Sequence, residues 1–196
     1  MRILAVSDKE DNLLLSRLER GSFPHPDVVV SCGDLRPSYL DCVATIANAP
    51  LLFVRGNHDT DERGYADMGG TPLDLRVVSV GGVRFAGLDG SLCYRPGIVG
   101  YSEGEARWRC RRLALTALLR GGVDVLVTHA PARGLGDLED LPHRGFEAYG
   151  RLLDRLRPQV MLHGHVHLDY GMVERELAHP SGARDINACG HVMVEV

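Results

Sequence analysis

No apolar stretch in the 196 residues approaches the ~18 that a helix needs to cross a bilayer, so the sequence carries no helical membrane span. Cations are not in excess either: the formal net charge is -4, and no block of Lys or Arg stands out beyond Arg107 to Arg112. Duplex nucleic acid selects clustered positive charge, so it is not an expected partner. Met1 to Val6 reads as a strand and lacks the long apolar core of a secretory leader. The five cysteines are odd in number and form neither a Cys-x-x-Cys pair nor a disulfide rhythm, which points to reduced thiols and a cytoplasmic location. Cys32, close to Asp34, reads as a small apolar residue closing a strand rather than a ligand. Repeats and low-complexity segments are also absent. With 44% hydrophobic residues, the chain suits one domain over residues 1–196.

What is present is an alternation of short apolar runs with helical patterns. Arg2 to Ser7, Asp27 to Ser31 and Leu51 to Arg55 read as strands, separated by helices over Asn12 to Arg20 and Ser38 to Asn48. That order predicts βαβαβ units and a parallel sheet. Leu75 to Val80 and Val83 to Leu88 flank Gly81-Gly82, the pattern of a hairpin with a two-residue turn. Glu103 to Arg120 reads as a long amphipathic helix with Trp108, Leu113, Leu115, Leu118 and Leu119 on its apolar side. A strand over 123–128, a helix over Phe146 to Leu156 and a strand over Gln159 to Leu162 follow. Tyr170 to Arg175 and His191 to Val196 alternate as hairpin strands. Residues 59–74, 91–101 and 131–145 lack a period, and long loops in a compact domain tend to carry function.

Asp8, Asp34, Asn57, His129, His165 and His167 all lie just beyond strand-like runs. Hard carboxylate oxygens mixed with imidazole nitrogens suit Mn²⁺, Fe²⁺ or Zn²⁺ better than Ca²⁺. His165 and His167, two apart in what reads as extended chain, would point the same way. Taken in order, Asp8, Gly33-Asp34, Gly56-Asn57-His58-Asp59, Thr128-His129-Ala130 and Gly164-His165-Val166-His167 resemble the calcineurin-like metallophosphoesterase superfamily. The segment Gly134 to Phe146 is similar to small bacterial members without a large cap domain.

The resemblance implies an α/β fold: a four-layer α-β-β-α sandwich of two mixed sheets, with the metal site at strand C-terminal ends. It implies a metal-dependent phosphoesterase acting on a small phosphoester, a phosphodiester before a monoester, through two divalent ions and a bridging hydroxide. Manganese is the expected metal, with iron, zinc, nickel or magnesium as alternatives. By the same resemblance Asp34 bridges the ions, Asn57, His129 and His165 complete one position, and Asp8 and His167 belong to the other. By the resemblance His58 would assist the leaving oxygen or steady the developing charge; Asp59 would orient His58, because a ring's tautomer depends on the partner of its second nitrogen. Arg55 would meet either a phosphate oxygen or a surface carboxylate; His143, Tyr94 and Arg95 are loop candidates for substrate contact. His163 falls outside the ligand set as a hydrogen-bonded strand-end histidine, and His25, His179 and His191 carry no functional case.

The superfamily's first block is Asp-x-His, and here it is Asp8-Lys9-Glu10. Either Glu10 binds in the histidine's place, favouring harder ions such as Mn²⁺ or Mg²⁺, or it turns to solvent or Lys9 and leaves a weak position. An inactive scaffold of the same fold and a nuclease are the competing readings; the second lacks the basic stripe it needs.

Overall fold

The computed structural model describes residues 1–171 and 173–196. In chain order the elements are β1 (Arg2–Ser7), α1 (Asn12–Glu19), β2 (Val28–Ser31), α2 (Pro37–Ala47), β3 (Leu51–Phe53), α3 (Glu62–Asp67), β4 (Thr71–Pro72), β5 (Val77–Val80) and β6 (Val83–Leu88). The second half continues with β7 (Ser91–Leu92), β8 (Gly100–Tyr101), α4 (Glu103–Leu119), β9 (Val125–Thr128), a 3₁₀ turn (Leu141–His143), α5 (Glu147–Leu156), β10 (Val160–His163), β11 (Glu176–Ala178), β12 (Arg184–Asn187) and β13 (Gly190–Glu195).

Two mixed sheets result, ordered β13-β1-β2-β3-β4 and β11-β12-β10-β9-β6-β5, beside the small pair β7-β8. Strands β1, β2 and β3 run parallel, with β13 antiparallel at the edge. In the second sheet β12, β10, β9 and β6 are parallel, and β11 and β5 close its edges antiparallel. The period-2 alternation of the strands builds the layers. Ile3, Ala5, Val28 and Val30 of the first sheet meet Phe85, Val125, Val127 and Leu162 of the second in a core between the sheets. Their neighbours Leu4, Val6 and Val29 face Leu14, Leu40 and Val43 of α1 and α2. On the far side Ala86, Leu126 and Met161 pack against α4 and α5. The architecture is the four-layer α-β-β-α sandwich.

Local chemistry sets the helix ends. Asp11 caps α1 by accepting from the amides of Leu13 and Leu14, at 2.8 and 3.1 Å. Ser102 and Glu105 form a reciprocal capping box at the start of α4. Glu103 also reaches across to accept from the amides of Glu147 and Ala148, so α4 caps α5.

Two expectations are corrected. In α4 the buried stripe is Ala106, Arg109, Cys110, Leu113, Ala114 and Ala117, while Trp108, Leu115, Leu118 and Leu119 are exposed. Small residues win this face because α4 lies against both the sheet and α5. The tail strand falls at Glu176–Ala178 rather than over 170–175, whose Met172 lies outside the described residues, and pairs with β12. No helix among the described residues is long and apolar enough to cross a membrane.

Candidate metal centre

The C-terminal tips of β1, β2, β3, β9 and β10 converge, each followed by one block of the pattern. Three of the residues at these tips take left-handed backbone conformations: φ is +62° at Asp8, +56° at Asp34 and +69° at His165. Such strain, about 1–2 kcal/mol per non-glycine residue, collects at functional sites. Hydrogen bonds offset it: both Asp8 carboxylate oxygens accept from the His165 amide at 3.0 Å, and Asp34 Oδ1 accepts from the His58 amide at 2.9 Å. The motif glycines make the approach sterically possible. A Cβ on Gly33 would strike the Gly56 backbone, one on Gly56 the Asp34 carboxylate, and one on Gly164 Ser7 and Asp8.

Two buried histidines face each other at the centre. His129 Nδ1 lies 2.8 Å from the Cys32 carbonyl and His165 Nε2 2.6 Å from the Pro142 carbonyl. A nitrogen facing a carbonyl carries the proton, so His129 Nε2 and His165 Nδ1 are the nitrogens left for the centre. They lie 3.1 Å apart, with Asn57 Oδ1 2.8 Å and Asp34 Oδ2 3.4 Å from His129 Nε2. Carbonyls that fix the outer nitrogens are the usual support of metal-ligating histidines. Asp8, Asp34 and His129 offer ligand atoms within 4.8 Å of one another. His167 Nε2 lies 3.8 Å from Asp8 Oδ1, its ring stacked on Tyr170. This donor set fits divalent cations.

Electrostatics agree with that fit. Burial pushes the His165 imidazole down to about 3, with His129 adding to the shift, so His165 is neutral at ordinary pH. Burial also acts against a charged His129, but the Asp34 and Asp8 carboxylates outweigh it and lift the ring to about 9. Burial opposes ionisation of Asp34 too, yet His129 and the His58 amide hold it at about 2. Asp8 is raised, chiefly by burial. A concentration of negative charge is thus already drawing a proton onto the nitrogen that faces it.

Several sequence expectations change at this level. The segment carrying His165 and His167 is not extended, and its left-handed residue sends His165 to His129 and His167 to Asp8. Asp59 does not orient the His58 ring: its Oδ2 accepts from the amides of Asp34 and Gly56, both at 2.7 Å, and ties two loops together. Glu10 turns neither inward nor to Lys9. Arg36 holds it in a fork, while Lys9 pairs with Asp169. Arg55 is committed to buried Asp89 at 2.9 Å rather than to the cavity, because that pair clamps the strand end before Gly56. Arg95 lies over the Tyr94 ring and does not line the cavity. Tyr94 does line it and accepts from Asn57 Nδ2 at 3.3 Å; His143 lines it and is held by Asp140. His163 sits on Asp185 behind the strand end, outside the ligand set. Sequence reasoning missed Arg36, Tyr170 and the Pro142 carbonyl; for the last, the aperiodic loop 131–145 was the available signal.

Carboxylates, an amide and histidines gathered at the tips of a two-sheet sandwich place the chain in the class of α/β sandwich proteins with a candidate divalent-metal site. Residues 1–178 match the calcineurin-like phosphoesterase superfamily domain, and the chain belongs to that family. Membership makes it a metal-dependent phosphoester hydrolase by family. Among solved structures, one crystal structure aligns with a TM-score of 0.73 at 15% identity, over 98% of this chain and 94% of its own. A single mutant of Vps29 from Entamoeba histolytica aligns with a TM-score of 0.51 at 14% identity, over 100% of this chain and 86% of its own. Both share the fold. No curated relative matches the sequence.

Proposed function

We propose that this chain hydrolyses small phosphodiesters with the aid of two divalent ions, manganese first among them and iron, zinc, nickel or magnesium as substitutes. The carrying observation is the pair of buried histidines whose outer nitrogens are tied to carbonyls while their inner nitrogens share one space with Asp34 and Asn57. Asp34, Asn57, His129 and His165 would hold one ion, and Asp8, Asp34 and His167 the other. When bound, such ions supply positive charge that stabilises the phosphoryl group and activates water.

The remaining work falls to the chain's own side chains. His58 is exposed beside buried Asn57 and Asp59, lines the cavity, and is fixed at its backbone by Asp34. Its imidazole donates a proton to the leaving oxygen, a role that contributes about 10²–10⁴-fold. Tyr94 and His143 flank the ester substituent. The cavity measures about 650 Å³, and no inserted cap closes it among the described residues, which suits an ester with two substituents. Five free cysteines suit a reducing cytoplasm, and nucleic acid is not an expected substrate.

The test is turnover by metal-free protein given each ion in turn with aryl phosphodiester and monoester substrates. Faster turnover of the diester with Mn²⁺ is expected. No turnover of either substrate with any ion would sink the reading and leave a scaffold.

A further inference from the structure

We propose that Arg36 withholds Glu10 from the metal centre and so makes the position of Asp8 and His167 the weaker of the two. The inference rests on the two-ion reading above. Glu10 stands two residues beyond Asp8 and lines the same cavity as Asp8, Asp34 and His167, so its carboxylate borders the space onto which the centre opens. Both of its oxygens are nevertheless engaged elsewhere: Arg36 Nε donates to Oε1 at 2.7 Å and Nη2 to Oε2 at 2.5 Å. This is the planar fork that matches a carboxylate bidentately, which a lysine could not reproduce.

The latch is anchored. Arg36 is the residue before α2, extended at φ -61° and ψ 139°, with Pro37 fixing the first helical position behind it. It lies two residues past Asp34, so the loop that delivers the shared carboxylate also delivers the guanidinium. Lys9, the other cation at hand, is drawn away to Asp169 at 2.9 Å and does not compete for Glu10.

The two positions are left unequal. Asp34, Asn57, His129 and His165 are cross-linked by short contacts in the interior. The other position keeps Asp8 and a His167 whose side chain is 29% exposed, and the compact group of ligand atoms comprises Asp8, Asp34 and His129 without Glu10. Neutralising Glu10 on Arg36 also withdraws one negative charge from the centre, leaving the filled site more attractive to an anionic phosphate. Exposed ion pairs are modest in strength, so the latch sets the affinity of the second ion rather than forbidding it.

The experiment is calorimetric titration of metal-free full chain with Mn²⁺, for wild type, Arg36→Gln, Glu10→Gln and the double variant. Wild type is expected to bind one ion tightly and a second more weakly. Arg36→Gln should tighten the second ion about tenfold, the scale on which one supporting group changes metal affinity, and leave the first nearly unchanged. Glu10→Gln should keep the second ion weak, and the double variant should behave like Glu10→Gln. Equal affinity for both ions in wild type, an Arg36→Gln titration matching wild type, or a tightening that survives in the double variant would each overturn the latch while the phosphoesterase reading stands. Absence of Mn²⁺ binding in wild type and every variant would overturn the metal-dependent reading itself, and the latch with it.

Discussion

His58 is the residue of its block that the fold leaves exposed while Gly56, Asn57 and Asp59 beside it are buried. A histidine with no packing duty, on a loop tied down by Asp34 and Asp59, can be removed without loss of structure. His58→Ala is therefore expected to lower kcat by about 10²–10⁴ while metal content and melting temperature stay at wild-type values. Elemental analysis beside steady-state kinetics checks this; a variant that loses bound metal in proportion to activity would place His58 among the ligands instead. The candidate ligands were legible one by one, because each sits in a short ordered block after a strand. Their partners were not. His129 takes its orientation from Cys32, 97 residues away, and Glu10 from Arg36, 26 away, and neither contact leaves a periodic trace. Asp59 stands next to His58 in the sequence, but satisfying two backbone amides decides where its carboxylate goes.

At the scale of elements, strands and hairpin were readable where apolar runs end in glycine or polar residues, and β6 falls at Val83–Leu88 as the alternation predicts. Short pieces within the aperiodic stretches, α3 and the pair β7-β8, carry too few residues for a period to emerge. Helix α4 fails for a different reason. Two stripes at helical spacing coexist on it, one of small residues with Leu113 and one of large apolar residues. Size favours the second stripe, but only the first can approach β6 and α5 closely, and Arg109 enters it by pairing with Asp74 over the Tyr101 ring. Substitutions separate the stripes. Leu113→Ala, fully buried, should cost about 2–5 kcal/mol, whereas Leu118→Ser, 72% exposed, should stay within about 0.5 kcal/mol of wild type. Urea denaturation of both variants measures the contrast, and equal losses would mean that the exposed stripe is covered in solution.

For the whole molecule, the convergence of two sheets puts a protonated histidine where a cation belongs, and that couples folding, protons and metal. His129 is lifted to about 9 in the metal-free fold, above the ~6.5 of an unfolded chain. A raised histidine contributes stability that is fully present below about 6.5 and is lost as pH rises through about 9. A divalent ion needs the same Nε2 unprotonated, so binding releases a proton below that pH and affinity climbs with pH across the window. His165, already neutral from about 3 upward, adds nothing to the slope there. The metal-free protein should therefore soften from pH 6.5 to 8.5, while the upward shift of its melting temperature at a fixed, subsaturating Mn²⁺ concentration should grow over the same range, as mass action on a tighter site requires. Thermal melts with and without Mn²⁺ at both pH values test this, and a metal-induced shift that is flat or shrinking with pH would mean that His129 does not give up its proton to the ion.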